Sequence, residues 1–223
     1  MRLYLLRHGQ TPSNVSGALD TSFPGAELTA LGIIQAQAIP GVLASENVRA
    51  VYASELVRAQ LTAHPLADHL GVQVQVRTGL EEIAAGDLEM SSDEASVRAY
   101  AACLASWMHG DLGCKMPGGP SGREFVDRYD AAIDALVQEH PHETAVTVVS
   151  HGAAIRVWVA LAAGLRPEDA TDLRLANTGM GVLDREAGSG WTLTRWVADP
   201  VGGQDLTDER AHDVTGESAE EVI

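Results

Sequence analysis

Two histidines stand at the same kind of place in this chain. Arg2 to Leu6 is a short apolar run that ends abruptly in Arg7-His8-Gly9-Gln10-Thr11. Ala145 to Val149 is a second such run, ending in Ser150-His151-Gly152. Apolar runs this short read as buried strands. Arginine and histidine cannot continue such a strand into a core, because burying an unpartnered charge costs several kcal/mol. The strands must therefore deliver Arg7, His8 and His151 to an open edge. In a sheet with helices on both faces that edge is the carboxyl end, where ligands bind. An imidazole there can attack or move a proton, and a guanidinium beside it can hold an anion. One His-Gly at a strand end would pass as solvated surface; two argue for a site.

A second arginine is placed to join them. Ala50 to Ala53 is a third apolar run, followed by Ser54-Glu55-Leu56-Val57-Arg58-Ala59-Gln60-Leu61-Thr62-Ala63, which opens a helix. Helical side chains lean back toward the helix start, so Arg58, near the first turn, can reach over the strand ends toward His8. The alternative is a solvated helix arginine.

The elements that hold these residues follow in order. Thr11 to Gly25 is rich in Ser, Gly, Pro and Asp and reads as loop. Thr29 is a candidate N-cap for the next helix, and Pro40-Gly41 should kink or end that helix before it resumes toward Glu46. Val72 to Val76 alternates as a strand. Ser91 to Glu94 has capping-box spacing for a helix to about Met108, and Ser121 to Glu124 repeats it for a helix from Gly122 to His140. Ala153 to Ala163 is an apolar helix closed by Gly164. Gly181 to Asp184 and Trp191 to Val197 read as a final hairpin. His140 and His142 flank Pro141 with no cysteine or further histidine nearby, and no metal site is read there.

The 223 residues are 45% hydrophobic and carry a net charge of −16. The length allows a sizeable core, and the charge disfavours nucleic acid and anionic membranes as partners. An anionic substrate is repelled at long range as well, so any site for one needs strong local cations. Cys103 and Cys114 match no zinc or redox spacing. A disulfide between them is left open; as reduced thiols they fit a cytoplasmic protein. The first apolar run is too short for a signal peptide, and no stretch is long enough to span a membrane. From Asp199 the chain turns acidic and Gly-rich, a composition that suggests disorder. The expected organisation is one domain over residues 1–198 and an acidic tail over 199–223, docked on the body or on a neighbouring subunit; a homodimer is left open.

Arg7-His8-Gly9-Gln10-Thr11, Ser54 to Ala63 with Arg58, and Ser150-His151-Gly152 together resemble the histidine phosphatase superfamily, the phosphoglycerate-mutase-like proteins. Leu28, Thr29, Gly32, Gln35 and Ala36 match a further family pattern. The resemblance runs from Arg2 to about Val197. It implies an α/β fold, a three-layer sandwich whose mostly parallel central sheet carries Leu3–Leu6, Val51–Ala53 and Val146–Val149 side by side. It implies a phosphomonoester hydrolase acting on a small phosphorylated metabolite. In that chemistry His8 attacks phosphorus, and Arg7, Arg58 and His151 cradle the phosphoryl oxygens, helped by backbone donors at the start of the helix after His151. The catalytic acid maps onto Glu82, in Leu80-Glu81-Glu82-Ile83; its neighbour Glu81 should point the other way. Gln10, Thr11, Asn14, Gly152 and Asn177 are expected near the phosphate, although Gln10, Thr11 and Asn14 also suit ordinary turn chemistry. Arg156, one turn into the helix after His151, is either structural or a neighbour of the pocket. No metal, nucleotide or organic cofactor is implied.

The chain departs from the family where a Gly-x-Trp-Glu-Gly segment is usual: it has Gly86-Asp87-Leu88-Glu89-Met90. From Ile83 to Gly122 the only basic residues are Arg98 and Lys115. A mutase must grip a second anionic group, so hydrolysis is expected over mutase transfer, with a non-catalytic phosphate-binding module as a third reading.

Overall fold

The computed structural model describes residues 1–140, 144–186 and 188–217; His142 lies outside them. In chain order the elements are β1 Arg2–Arg7, α1 Pro12–Ser16, α2 Ala30–Leu43, β2 Val48–Ala53, α3 Val57–Leu70, β3 Val74–Val76, α4 Glu94–Met108, α5 Gly122–Glu139, β4 Ala145–Ser150, α6 Gly152–Ala162, α7 Pro167–Thr171, β5 Met180–Arg185 and β6 Trp191–Val197. The strands form one mixed sheet in the order β3-β2-β4-β1-β5-β6. β1, β2, β3 and β4 run parallel, while β5 and β6 are the antiparallel hairpin. The expected trio β2, β4 and β1 lies side by side at the centre.

The central strands read as continuous apolar runs because helices cover both faces. Leu3, Leu5, Tyr52, Val146 and Val148 face one core, packed with Trp107, Phe125, Tyr129 and Trp158 from α4, α5 and α6. Tyr4, Leu6, Val51, Ala53 and Val149 face the other, against Ile39, Leu43, Ala63 and Leu66 of α2 and α3. The β1–β4 register pairs Leu6 with Val149 and Arg7 with Ser150. His8 and His151 are each the next residue, so both histidines leave the sheet at the same level of its carboxyl edge.

Several local expectations need correction. Residues 11–25 are not all loop: Thr11 caps the five-residue helix α1 in a capping box with Asn14. α2 passes through Pro40 to Leu43 and does not resume; Pro40 has no N–H to give the Ala36 carbonyl, yet the helix continues only three residues past it. The cap of α4 is Asp93, which accepts from the Ser96 N–H, not the serines before it. α3 starts at Val57, three residues after Ser54, and β3 is limited to Val74–Val76. Ser121 caps α5 in the expected box with Glu124. The Cys103 and Cys114 sulfurs lie 3.5 Å apart as free thiols. No helix among the described residues is long and apolar enough to cross a membrane, and no group of three or more His, Cys, Asp or Glu among them could hold a metal.

The described part of the acidic segment does not trail away. It is bonded to the body along its length: Val201 N–H donates to Thr178 O at 3.2 Å, Gln35 Nε2 to Leu206 O at 2.8 Å, and Leu175 N–H to Gly216 O at 2.8 Å.

Candidate active site

β1 ends by placing His8 beside the last residue of β4: the His8 N–H donates to Ser150 O at 3.0 Å. The His8 ring is only 2% exposed. Its Nδ1 lies 2.7 Å from Gly9 O, an acceptor only, so Nδ1 carries the ring proton and Nε2 keeps its lone pair. Arg58 Nε donates to that Nε2 at 3.2 Å. Burial first, then Arg58 and Arg7, hold the imidazole well below its ordinary value, so it is neutral at pH 7. The turn after it is tight. A Cβ on Gly9 would fall 2.6 Å from Gly32 O, and the Gly9 N–H donates to Thr62 Oγ1 at 2.9 Å. Thr62 in turn donates to Arg58 O at 2.7 Å, tying the α3 turn that carries Arg58 to the His8 loop.

His151 stands opposite, its ring centroid 5.2 Å from that of His8. Its Nε2 lies 2.8 Å from Ser54 Oγ, which also accepts the Leu56 N–H at 3.3 Å. A hydroxyl donates once and accepts twice, so Ser54 can hold Nε2 in either tautomer of His151. Burial, then Arg58, keeps His151 neutral too. Ser54 was legible only as the flank of the Arg58 motif; its role as the partner of His151 was not.

Two buried neutral imidazoles have a consequence for stability. Below pH ~6.5 each takes up a proton in the unfolded chain and not in the folded one. Their contribution is therefore present above that pH and lost as pH falls toward the depressed folded values. Each should add a slope of about 1.4 kcal/mol per pH unit in that window. His8→Asn should shallow the acid loss of urea stability by one such share between pH 6.5 and 5, and equal slopes in the two proteins would contradict this account.

Glu82 is 3% exposed, while Glu81 turns outward to pair with Arg128 at 2.6 Å. Glu82 sits on the start of α6. Oε1 accepts the Ala154 N–H at 2.8 Å and the Ile83 N–H at 2.9 Å, and Oε2 accepts the Ala153 N–H at 3.2 Å. This corrects one expectation: the Ala153 and Ala154 donors at the start of α6 hold the carboxylate, not a phosphoryl group. Burial raises the Glu82 pKa, and the backbone donors and Arg58 oppose it without cancelling it. The segment is pinned from behind by Ser150, which donates to Leu80 O at 2.7 Å and accepts from Tyr129 at 3.1 Å.

Arg7 is wholly buried, and four of its five N–H groups are in use. Nη1 donates to Leu175 O at 2.8 Å and to Asp213 Oδ2 at 2.5 Å; Nη2 donates to Asp213 Oδ1 at 2.5 Å and to Thr215 Oγ1 at 2.9 Å. Arg58 Nη2 donates to Asp20 O at 2.8 Å, and its Nη1 lies 3.7 Å from the Asp20 carboxylate. Arg156 reaches the same place, its Nη1 donating to Thr215 O at 3.0 Å. Burial and the nearby Arg7 lower its pKa to about 10. Neither Asp20 nor Asp213 carries a local signal in the sequence: each meets its arginine only through the fold.

The other named residues are close by but differently employed. Gln10 Nε2 donates to Asp208 at 3.0 Å. Thr11 and Asn14 make the α1 capping box, and Asn14 Nδ2 donates to Asp213 Oδ1 at 3.0 Å. Asn177 Nδ2 donates to His8 O and to Asn14 Oδ1, both at 3.2 Å. Gly152 lies where a Cβ would sit 2.9 Å from Arg7 Nε and 2.4 Å from Thr215 O. Turn chemistry and proximity to the site thus hold at once for Thr11 and Asn14. Arg7 Nε, Arg58 Nη1, Arg156 Nε and His151 Nδ1 are among the buried side-chain nitrogens without a hydrogen-bond partner.

Comparison with known proteins agrees in family and in fold. The family model described as histidine phosphatase superfamily (branch 1) matches residues 3–199. The PE-PGRS family protein PE_PGRS11 of Mycobacterium tuberculosis (strain ATCC 25618 / H37Rv) is 35% identical over 219 residues; the match takes in 90% of this chain but only 37% of that protein's length. A probable phosphoglycerate mutase, GpmB, of Yersinia enterocolitica is 30% identical over 202 residues, covering 91% of this chain and 93% of that one. Among solved structures, a mycobacterial glucosyl-3-phosphoglycerate phosphatase in complex with VO3 superposes with a TM-score of 0.74 at 30% identity, over 89% of this chain and 99% of that one.

Proposed function

Because the chain belongs to the histidine phosphatase superfamily (branch 1), we propose that it hydrolyses the phosphate monoester of a small metabolite through a phosphohistidine on His8. One observation supports this most. The neutral His8 keeps its lone pair on Nε2, where Arg58 Nε donates, and the two arginines of the site each keep a buried donor without an acceptor, Arg7 Nε and Arg58 Nη1. A buried donor left unpaired costs about 1–3 kcal/mol, and a phosphoryl group offers the oxygens to satisfy such donors.

The reaction runs in two displacements. His8 Nε2 attacks phosphorus, the bond from phosphorus to the ester oxygen breaks, and protonated Glu82 gives its proton to that oxygen. Water then attacks the phosphohistidine, Glu82 takes its proton back, and the P–N bond breaks to release inorganic phosphate. Arg7, Arg58 and His151 hold the phosphoryl oxygens through both steps. These five side chains supply the nucleophile, the acid and base, and the hold on the phosphoryl oxygens, and no cofactor enters the reaction.

The GpmB resemblance raises mutase transfer as the second reading. The loop after Glu82 speaks for water as acceptor. Residues 83–90 contain no cation, and Arg98 is exposed and paired with Glu94 at 2.8 Å. A second anionic group on the substrate would find nothing to hold it there. Phosphate release from a chromogenic monoester and from a phosphoglycerate should outpace phosphoglycerate interconversion on one sample. Interconversion outpacing release would make the protein a mutase, and phosphate binding without either would make it a binding module. We place the reaction in the cytoplasm, where thiols like Cys103 and Cys114, close but unbonded, stay reduced. Nothing in the chemistry requires a second subunit, and a homodimer stays a proposal for light scattering to test.

A further inference from the structure

The anion that Arg7 holds in this structure belongs to the chain itself. Asp213 grips the guanidinium with both carboxylate oxygens, and its Oδ1 also takes the Asn14 Nδ2 donor. Thr215 takes a further Arg7 donor through Oγ1, and its carbonyl takes Arg156 Nη1. Five residues before Asp213, Asp208 holds Gln10 Nε2. Three of the residues nominated for phosphate contact, Arg7, Gln10 and Asn14, are thus engaged by one stretch of ten residues, 208–217. His8, the neighbour of Arg7 in the chain, is itself only 2% exposed.

We propose that residues 208–217 form an autoinhibitory plug in which the Asp213 carboxylate stands in for a phosphoryl group on Arg7 and Asn14 and must leave before a phosphate monoester can bind. The proposal rests on the phosphatase reading for its physiological meaning. Its physics is competition between anions for one cation. A bidentate carboxylate–guanidinium pair is a strong charge-assisted contact, and here the carboxylate is tethered, so it competes at a high effective concentration. Of the Arg7 donors Nε alone is without an acceptor, and a dianion arriving there faces Asp213 at close range, where like charges repel. Further along, Leu175 N–H donates to Gly216 O at 2.8 Å and His212 N–H to Val15 O at 3.4 Å, and Val214 packs against the edge of the core. Release of the segment gives up these contacts while the sheet and its helices keep theirs. Gly216 is required where it packs, since a Cβ there would lie 2.0 Å from Arg7 Nη1.

The test uses the full chain and inorganic phosphate as probe. In titration calorimetry, Asp213→Ala should bind phosphate about tenfold more tightly than the parent, and KM for a chromogenic monoester should fall by a similar factor. Unchanged affinity would show that Asp213 does not compete. Weaker affinity would show that it orients Arg7 for the ligand, and either result overturns the plug. A second measurement needs no variant: amide exchange in residues 208–217 of the parent protein should quicken when phosphate is added, and equal or slower exchange also overturns it. Phosphate affinity is read separately from turnover. A protein that binds phosphate in this way but hydrolyses nothing would refute the phosphatase reading and leave the plug standing.

Discussion

His8→Ala is expected to lower monoester turnover by on the order of 10⁴-fold or more, because it removes the atom that forms the covalent intermediate and not one of several supports for it. Binding should respond quite differently. Arg7, Arg58 and His151 remain, and Arg58 Nε, released from His8 Nε2, becomes one more donor for a bound anion. Inorganic phosphate should therefore bind the variant within a few-fold of the parent. Calorimetry and a release assay on the same preparation separate the two effects. Turnover surviving within about tenfold would place the nucleophile elsewhere.

Glu82→Gln should give the second-largest loss, about 10²–10⁴-fold on an alkyl phosphate, and the loss should depend on the leaving group. A nitrophenolate leaves without a proton, so on nitrophenyl phosphate the first step is largely spared, while the second still lacks its base. Phosphorylated His8 should then build up and be visible after an acid-free quench. The pH profile follows from the same residue. Glu82 must begin protonated, and burial raises its pKa, so the rate should fall as pH rises through that value. His8 must be neutral, and its depressed pKa lets the rate persist well into acid. The optimum should lie on the acid side of neutral, and a profile flat into alkali would count against Glu82 as the acid. Full activity in Glu82→Gln together with its loss in Glu81→Gln would transfer the role to the neighbour, against the outward ion pair of Glu81 with Arg128.

The parts of this molecule that could be read in advance are those where one local pattern has one physical cause. Leu3–Leu6 and Val146–Val149 are apolar because both faces of the sheet are covered, so their abrupt ends at Arg7-His8 and Ser150-His151 mark where the cover stops. Glu82 over Glu81 needed the family resemblance as well as the alternation of an extended segment. α1 was missed because Thr11, Pro12 and Asn14 serve a turn and a capped helix equally well, and five residues are too few to show a helical period. The partners of the arginines were out of reach for a different reason. Asp20 and Asp213 sit in stretches whose composition reads as loop or disorder, and what orders them is a buried guanidinium 38 residues away for Asp20 and 206 for Asp213. A segment held by polar bonds to a buried cation leaves no trace in a hydrophobicity pattern.

The register of β1 against β4 has a consequence for how such a protein can change. Arg7 pairs with Ser150, and His8 and His151 each follow by one residue. The separation of the two imidazoles is thus set by hydrogen bonds of the sheet and not by any loop. One residue inserted in either strand would turn every later side chain to the opposite face and carry a histidine out of reach of the other. The segments around the opening, 20–26, 84–90 and 208–217, have no such ladder to respect. Lineages can lengthen, shorten or exchange them, and so acquire new substrates or new restraints, while the reaction itself is inherited unaltered.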